Sequence, residues 1–133
     1  MLQLVAFETG LVESVASVTG TRLPAHVEVS AIIKQVQVLG GFAAVLSRGD
    51  RDAGTIVLLS VDRGSNASLW ERMPSLDGPR LFTVTREQDA EKPTEFSEYV
   101  SRRAAQDNDL WIVEIDLPNA AEFIESRVNR VDS

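Results

Sequence analysis

Arg48-Gly49-Asp50-Arg51-Asp52-Ala53-Gly54 packs four ionisable side chains into seven residues. Asp50 and Asp52 could hold a hard cation, or Arg48 and Arg51 could clamp a phosphate or carboxylate. The same residues suit a turn between two strands, because Gly and Asp tolerate turn dihedrals and cap free backbone groups. The run lacks the ligand count of a calcium loop, so the turn reading takes precedence. A second carboxylate group comprises Asp107, Asp109, Glu114 and Asp116. Paired carboxylates can do general acid–base or magnesium chemistry. Asp107, however, reads as a helix-end breaker and Asp116 as an N-cap. Period-two alternation sets Glu114 and Asp116 on one strand face and Trp111, Val113 and Ile115 on the other. Glu114 must then reach solvent or a partner such as Arg102 or Arg103.

Trp70, Arg72, Arg80 and Phe82 form a third group. If the faces carrying them coincide, rings and guanidiniums interleave into a surface suited to stacking bases or gripping a peptide. The alternative places Trp70 and Phe82 in the core with the arginines reaching outward. His26 is the only histidine, and with no cysteine beside it a histidine-based zinc site of the usual kind is excluded. No glycine-rich phosphate loop, nucleophile elbow or dinucleotide fingerprint occurs. We assign no catalytic residue, no metal ligand and no cofactor. Arg48, Asp50, Asp52, Trp70, Arg72, Arg80, Phe82, Trp111 and Glu114 stand as candidate binding residues.

The elements that position these residues follow from periodicity. Val29, Ile32, Ile33, Val36 and Leu39 form one stripe of a helix over 24–39, with Pro24 in its first turn and Gly40-Gly41 as its stop. Strands are expected over 42–47, 55–61, 67–73 and 80–85, separated by polar or breaker-rich turns. The TIVLLSV run at 55–61 is nearly continuous in apolar character, as for a strand buried on both faces. A second helix is expected over 94–106, with Phe96, Tyr99, Val100 and Ala104 on one stripe. A strand over 110–115 and a third helix contacting the core through Phe123, Ile124 and Val128 complete the chain. Short links between strands favour antiparallel hairpins. The first 20 residues fit a helix loosely, interrupted at Gly10.

The chain has 133 residues, 44% hydrophobic and 25% charged, which is one domain's worth with a real core. The absence of cysteine excludes disulfides and thiolate chemistry and fits a reducing compartment. The N-terminal stretch carries Glu8 and Glu13 and no base, so a signal peptide is not expected. No apolar run approaches the ~20 residues that span a bilayer. Net charge is −7, and residues 87–133 concentrate it, with twelve carboxylates against five bases. That balance argues against a general nucleic-acid binder.

Arg22-Leu23 before the first helix, the turn Arg48-Gly49-Asp50 with Asp52-Ala53-Gly54, and the segment 107–115 (DNDLWIVEI) carry a resemblance. Together they resemble an alphaproteobacterial family known as domain of unknown function 1491, over most of residues 22–116. The resemblance implies the fold class and no activity. Residues 1–20 extend beyond the family's usual start, and residues 116–133 look more helical than the family suggests.

We therefore expect an α+β fold: an antiparallel meander of about four to five strands with two or three helices packed mainly on one face. Residues 1–20 would be an N-terminal extension, and 21–133 a single domain, cytoplasmic and not membrane-bound. The function expected is a non-enzymatic module binding a protein partner or itself, as a homodimer. The alternatives are weak nucleic-acid or nucleotide binding through Arg63, Trp70, Arg72, Arg80 and Phe82, and a small metal-assisted enzyme using Asp50, Asp52 or Glu114.

Overall fold

The computed structural model describes residues 23–62, 64–74 and 78–129. The expected extension over 1–20 and Arg63 lie outside the described residues. Helix α1 (Ala25–Val38) leads into strand β1 (Phe42–Ser47), followed by β2 (Thr55–Asp62), β3 (Ser65–Met73) and β4 (Leu81–Glu87). Helix α2 (Pro93–Gln106) then precedes β5 (Leu110–Asp116) and helix α3 (Ala120–Phe123), which continues as a wider turn over Ile124–Val128. In that turn the Asn129 N–H reaches back five residues to the Ile124 carbonyl, at 2.9 Å. Gly40 ends α1 at φ +84°, a left-handed conformation that a Cβ would strain.

The five strands form one sheet in the order β1-β5-β2-β3-β4. The α+β class holds, and β2-β3-β4 is the antiparallel meander the short turns dictate. One pair departs from it: β5 lies parallel to β2, Thr55 opposite Leu110 through Val61 opposite Asp116. The physical reason is the connection before β5. Helix α2 carries the chain back across the sheet, and such a crossover permits parallel pairing. Strand β5 slots between β1 and β2, pairing antiparallel with β1.

Both central strands are buried on both faces, which explains their nearly unbroken apolar sequences. On one face α1 contributes Ala25, Val29, Ile32 and Val36, and the C-terminal helix Ala120, Phe123, Ile124 and Val128. They cover Ile56, Leu58, Trp70, Phe82, Trp111, Val113 and Ile115. On the other, Phe96 of α2, with Tyr99, Val100 and Ala104, covers Val57, Leu59, Val61, Ala67, Leu69, Leu110 and Ile112. Two of the three helices thus share one face.

Candidate functional site

The turn over 48–54 joins β1 to β2, yet β5 lies between those strands. It must therefore bridge about 10 Å, two strand spacings, across the start of β5. The two family-bearing segments meet there. The Asp50 N–H donates to the Asp109 carbonyl at 3.2 Å, and the Trp111 Nε1–H to the Asp50 carbonyl at 2.7 Å. Gly49 and Gly54 pass so close that a Cβ on either would lie 2.2 and 2.5 Å from the Asp109 carbonyl oxygen. Asp50 Oδ2 accepts from the N–H groups of Asp52 and Ala53, at 3.2 and 2.7 Å, closing the turn on itself. The turn also caps α1. Pro24 supplies no side-chain cap, and the free N–H groups of Ala25 and His26 instead donate to the carbonyls of Asp52 and Arg51, at 3.0 and 2.9 Å. The lone histidine joins this contact, its Nδ1 lying 3.0 Å from the Arg51 carbonyl oxygen.

Arg48, Asp50 and Asp52 are thus brought together with Trp111, whose ring lies 5.6 Å from the Arg48 guanidinium. The Asp50 carboxylate and the Trp111 indole N–H serve the turn, and the Asp52 carbonyl caps α1. Among the described residues no three His, Cys, Asp or Glu side chains gather to hold a metal ion. Glu114 is half-buried between Ala44 of β1 and Leu59 of β2 and pairs with no described cation. Arg103, one of its expected partners, binds Glu71 of β3 through both guanidinium nitrogens, each at 3.1 Å. The Arg103 hydrogen bonds hold the Glu71 carboxyl below the usual glutamate value, partly offset by burial, and Glu71 raises Arg103 in return.

Trp70, Arg72 and Phe82 do share one sheet face, and the Arg72 guanidinium lies 4.5 Å over the Phe82 ring. That face is the one α1 and the C-terminal helix cover, leaving Trp70 and Phe82 3% exposed. The Trp70 Nε1–H donates to buried Ser60 Oγ at 2.9 Å, and Arg72 closes an ion pair with Glu28 of α1. Stacking a base on these rings is therefore corrected to core packing, with Arg72 as the tie between sheet and helix. Arg80 is exposed, just before β4 begins.

A different aromatic–guanidinium group lies on the opposite face. Arg86 of β4 stacks at 3.8 Å on the Tyr99 ring of α2, and Arg102 and Arg103 approach the same ring at 6.0 and 5.9 Å. Strict alternation would put Arg86 on the face of Phe82 and Val84. A bulge between Leu69 and Trp70 slips the register and sets Arg86 opposite Leu69, towards α2. Alternation in the sequence hides this residue; Tyr99 on the α2 stripe was the available signal.

The sheet's two edges differ. At β4 the Asn129 side chain imitates a strand: its Oδ1 accepts the Phe82 N–H at 2.8 Å and its Nδ2 donates to the Phe82 carbonyl at 3.0 Å. A shallow groove lined by Trp70, Phe82, Val84, Glu125 and Asn129 runs beside it. At β1 no described strand pairs with the outer side. Its sequence, FAAVLS, has no charge and no proline, and Phe42, Val45 and Leu46 are exposed, Phe42 to 59%. Val38 and Leu39, at the end of α1, extend this apolar stretch. Among the described residues, no helix is long and apolar enough to cross a membrane.

Comparison with solved structures finds the same fold in alphaproteobacterial proteins. The solution structure of a DUF1491 family protein from Caulobacter crescentus matches with a TM-score of 0.64 and 30% identity, over 78% of this chain and 94% of that one. A protein from A. tumefaciens matches with a TM-score of 0.62 and 28% identity, over 85% and 98%. A crystal structure of a DUF1491 family protein from C. crescentus gives 0.61 and 29%, over 72% and 88%. No curated protein matches. The model of the protein of unknown function DUF1491 matches residues 23–125, which include both the bridging turn and the strand it crosses. The chain belongs to the DUF1491 family.

Proposed function

We propose that this domain is a protein-interaction module that pairs with a second copy of itself along β1. The observation that carries the reading is the contrast between the two sheet edges. An open strand edge is a template for another strand, and proteins ordinarily blunt it with charge, proline or a covering group. Asn129 occupies the β4 edge, whereas β1 has no charge or proline of its own and, among the described residues, no strand pairs with its outer side.

A second copy is the occupant that fits. Antiparallel pairing of β1 with its own copy about a two-fold axis places the same six residues on both sides. It adds the exposed side chains of Val38, Leu39, Phe42 and Leu46 to the buried area. Two copies at net charge −7 repel each other, and the uncharged strand is where approach costs least.

Sedimentation equilibrium of the full chain tests this. A dimer is expected at tens of micromolar, and Leu46→Lys, at an exposed edge position, should return it to monomer with its circular dichroism unchanged. A full chain that stays monomeric at 100 μM, or a dimer indifferent to Leu46→Lys and Phe42→Asp, would overturn the reading.

A further inference from the structure

We propose that Arg86, Tyr99 and Arg102 form a binding site for the phosphate group of a small phosphorylated molecule. Three guanidiniums converge on one tyrosine ring, and the fold supplies one carboxylate for them. That carboxylate, Glu71, is taken by Arg103 through both nitrogens. Arg86 and Arg102 are exposed and form no ion pair with a described carboxylate, although Glu98 sits one helical turn before Arg102. In a chain of net charge −7 this leaves two exposed guanidiniums without an ion pair to a described carboxylate beside one ring. Holding like charges together is unfavourable unless an anion is shared between them, and a phosphate dianion matches two guanidiniums in charge, its oxygens accepting from their planar N–H forks.

Arg86 and Tyr99 are held in place before a ligand arrives. Arg86 is fixed by its stack at 3.8 Å and by the bulge that turns it towards α2. The Arg103 Nη1–H donates to the Tyr99 hydroxyl at 3.3 Å, so that oxygen acts as acceptor and its own proton remains to donate to a phosphate oxygen. Arg103 is thus a positioning residue, held by Glu71, while Arg86, Arg102 and the Tyr99 hydroxyl would touch the ligand. The acidic stretch over 87–133 repels a long polyanion, which favours a small molecule over a nucleic acid.

The test is an NMR titration of the full chain with inorganic phosphate and, separately, with a nucleoside monophosphate, each at fixed ionic strength. Saturable shifts at the Arg86, Tyr99 and Arg102 signals are expected. Arg86→Gln and Arg102→Gln should each weaken binding at least tenfold with thermal stability retained. Tighter binding of the nucleoside monophosphate would identify a nucleotide as the source of the phosphate, and equal binding would assign recognition to the phosphate alone. Equal shifts with sodium chloride, no saturation by 20 mM phosphate, or indifference to both substitutions would overturn the proposal.

Discussion

Alanine at Gly49 places a methyl group against the strand that the bridging turn crosses. The added Cβ would sit 2.2 Å from the Asp109 carbonyl oxygen and 2.6 Å from the Leu110 carbonyl carbon, where ordinary contact begins at 3.4 Å. Turn and strand must part by about 1 Å, and both obstacles are backbone, in an interior packed as densely as an organic crystal. Overpacking of this kind costs about 1–3 kcal/mol, and the upper end applies because no side chain can swing away. Parting also stretches the hydrogen bonds from Asp50 to Asp109 and from Trp111 to Asp50, each worth about 1 kcal/mol net. We expect a loss of about 3 kcal/mol, which lowers Tm by roughly 10 °C for a domain of this size. Gly40→Ala is the control. Its φ is +84° and nothing lies within 4 Å of the added Cβ, so only left-handed strain remains, about 1 kcal/mol. Thermal and urea unfolding followed by circular dichroism measure both. If Gly49→Ala loses no more stability than Gly40→Ala, the close crossing of turn over strand is not what constrains this position.

Trp111→Phe should cost about 1–2 kcal/mol, since the Asp50 carbonyl keeps a second donor in the Gly54 N–H at 3.2 Å; urea denaturation checks it, and an unchanged midpoint would refute it. Asn129→Ala removes two hydrogen bonds from Phe82 whose groups can then turn to water, so a loss of about 1–2 kcal/mol is expected. The same variant opens the β4 edge, and light scattering should show more aggregation than wild type. Glu71 is held below its free value of 4.5, so its contribution to stability is present above that pH and is lost as pH falls through the lower folded value. Glu71→Gln should therefore be less stable than wild type at neutral pH, by about 1 kcal/mol, and should lose less on acidification. Chemical denaturation at pH 7 and pH 3 compares the two, and parallel pH profiles would count against the Arg103 pairing.

The element types were legible because each depends on contacts near in sequence. The stripe from Val29 to Val36 requires a helix with one buried face, and Pro24 and Gly40 mark its ends. The apolar run at 55–61 demands a strand buried on both faces, and 110–115 reads as a strand whatever its neighbours. Alternation along β5 correctly separated Glu114 from Trp111, and the resemblance of the turn and the DNDLWIVEI segment pointed to the family.

What stayed hidden depends on partners distant in sequence. The 48–54 turn reads as a hairpin loop, yet it bridges a strand that arrives about sixty residues later, as the Asp50 to Trp111 bond records. The spacing of Trp70, Arg72 and Phe82 allows an exposed stacking surface or a core, and only the docking of α1 and the C-terminal helix decided that the rings are core. Glu114 had either solvent or a cation such as Arg103 open to it, and the fold gave Arg103 to Glu71. By itself the sequence determined the helices, the strands, the acidity and the family, because local periodicity and composition carry them. Tertiary structure alone decided the parallel pairing of β2 with β5, the Asn129 cap on the β4 edge, and the turning of Arg86 onto Tyr99. Strand order, register and a one-residue bulge are relations between separate segments, and no single segment encodes them.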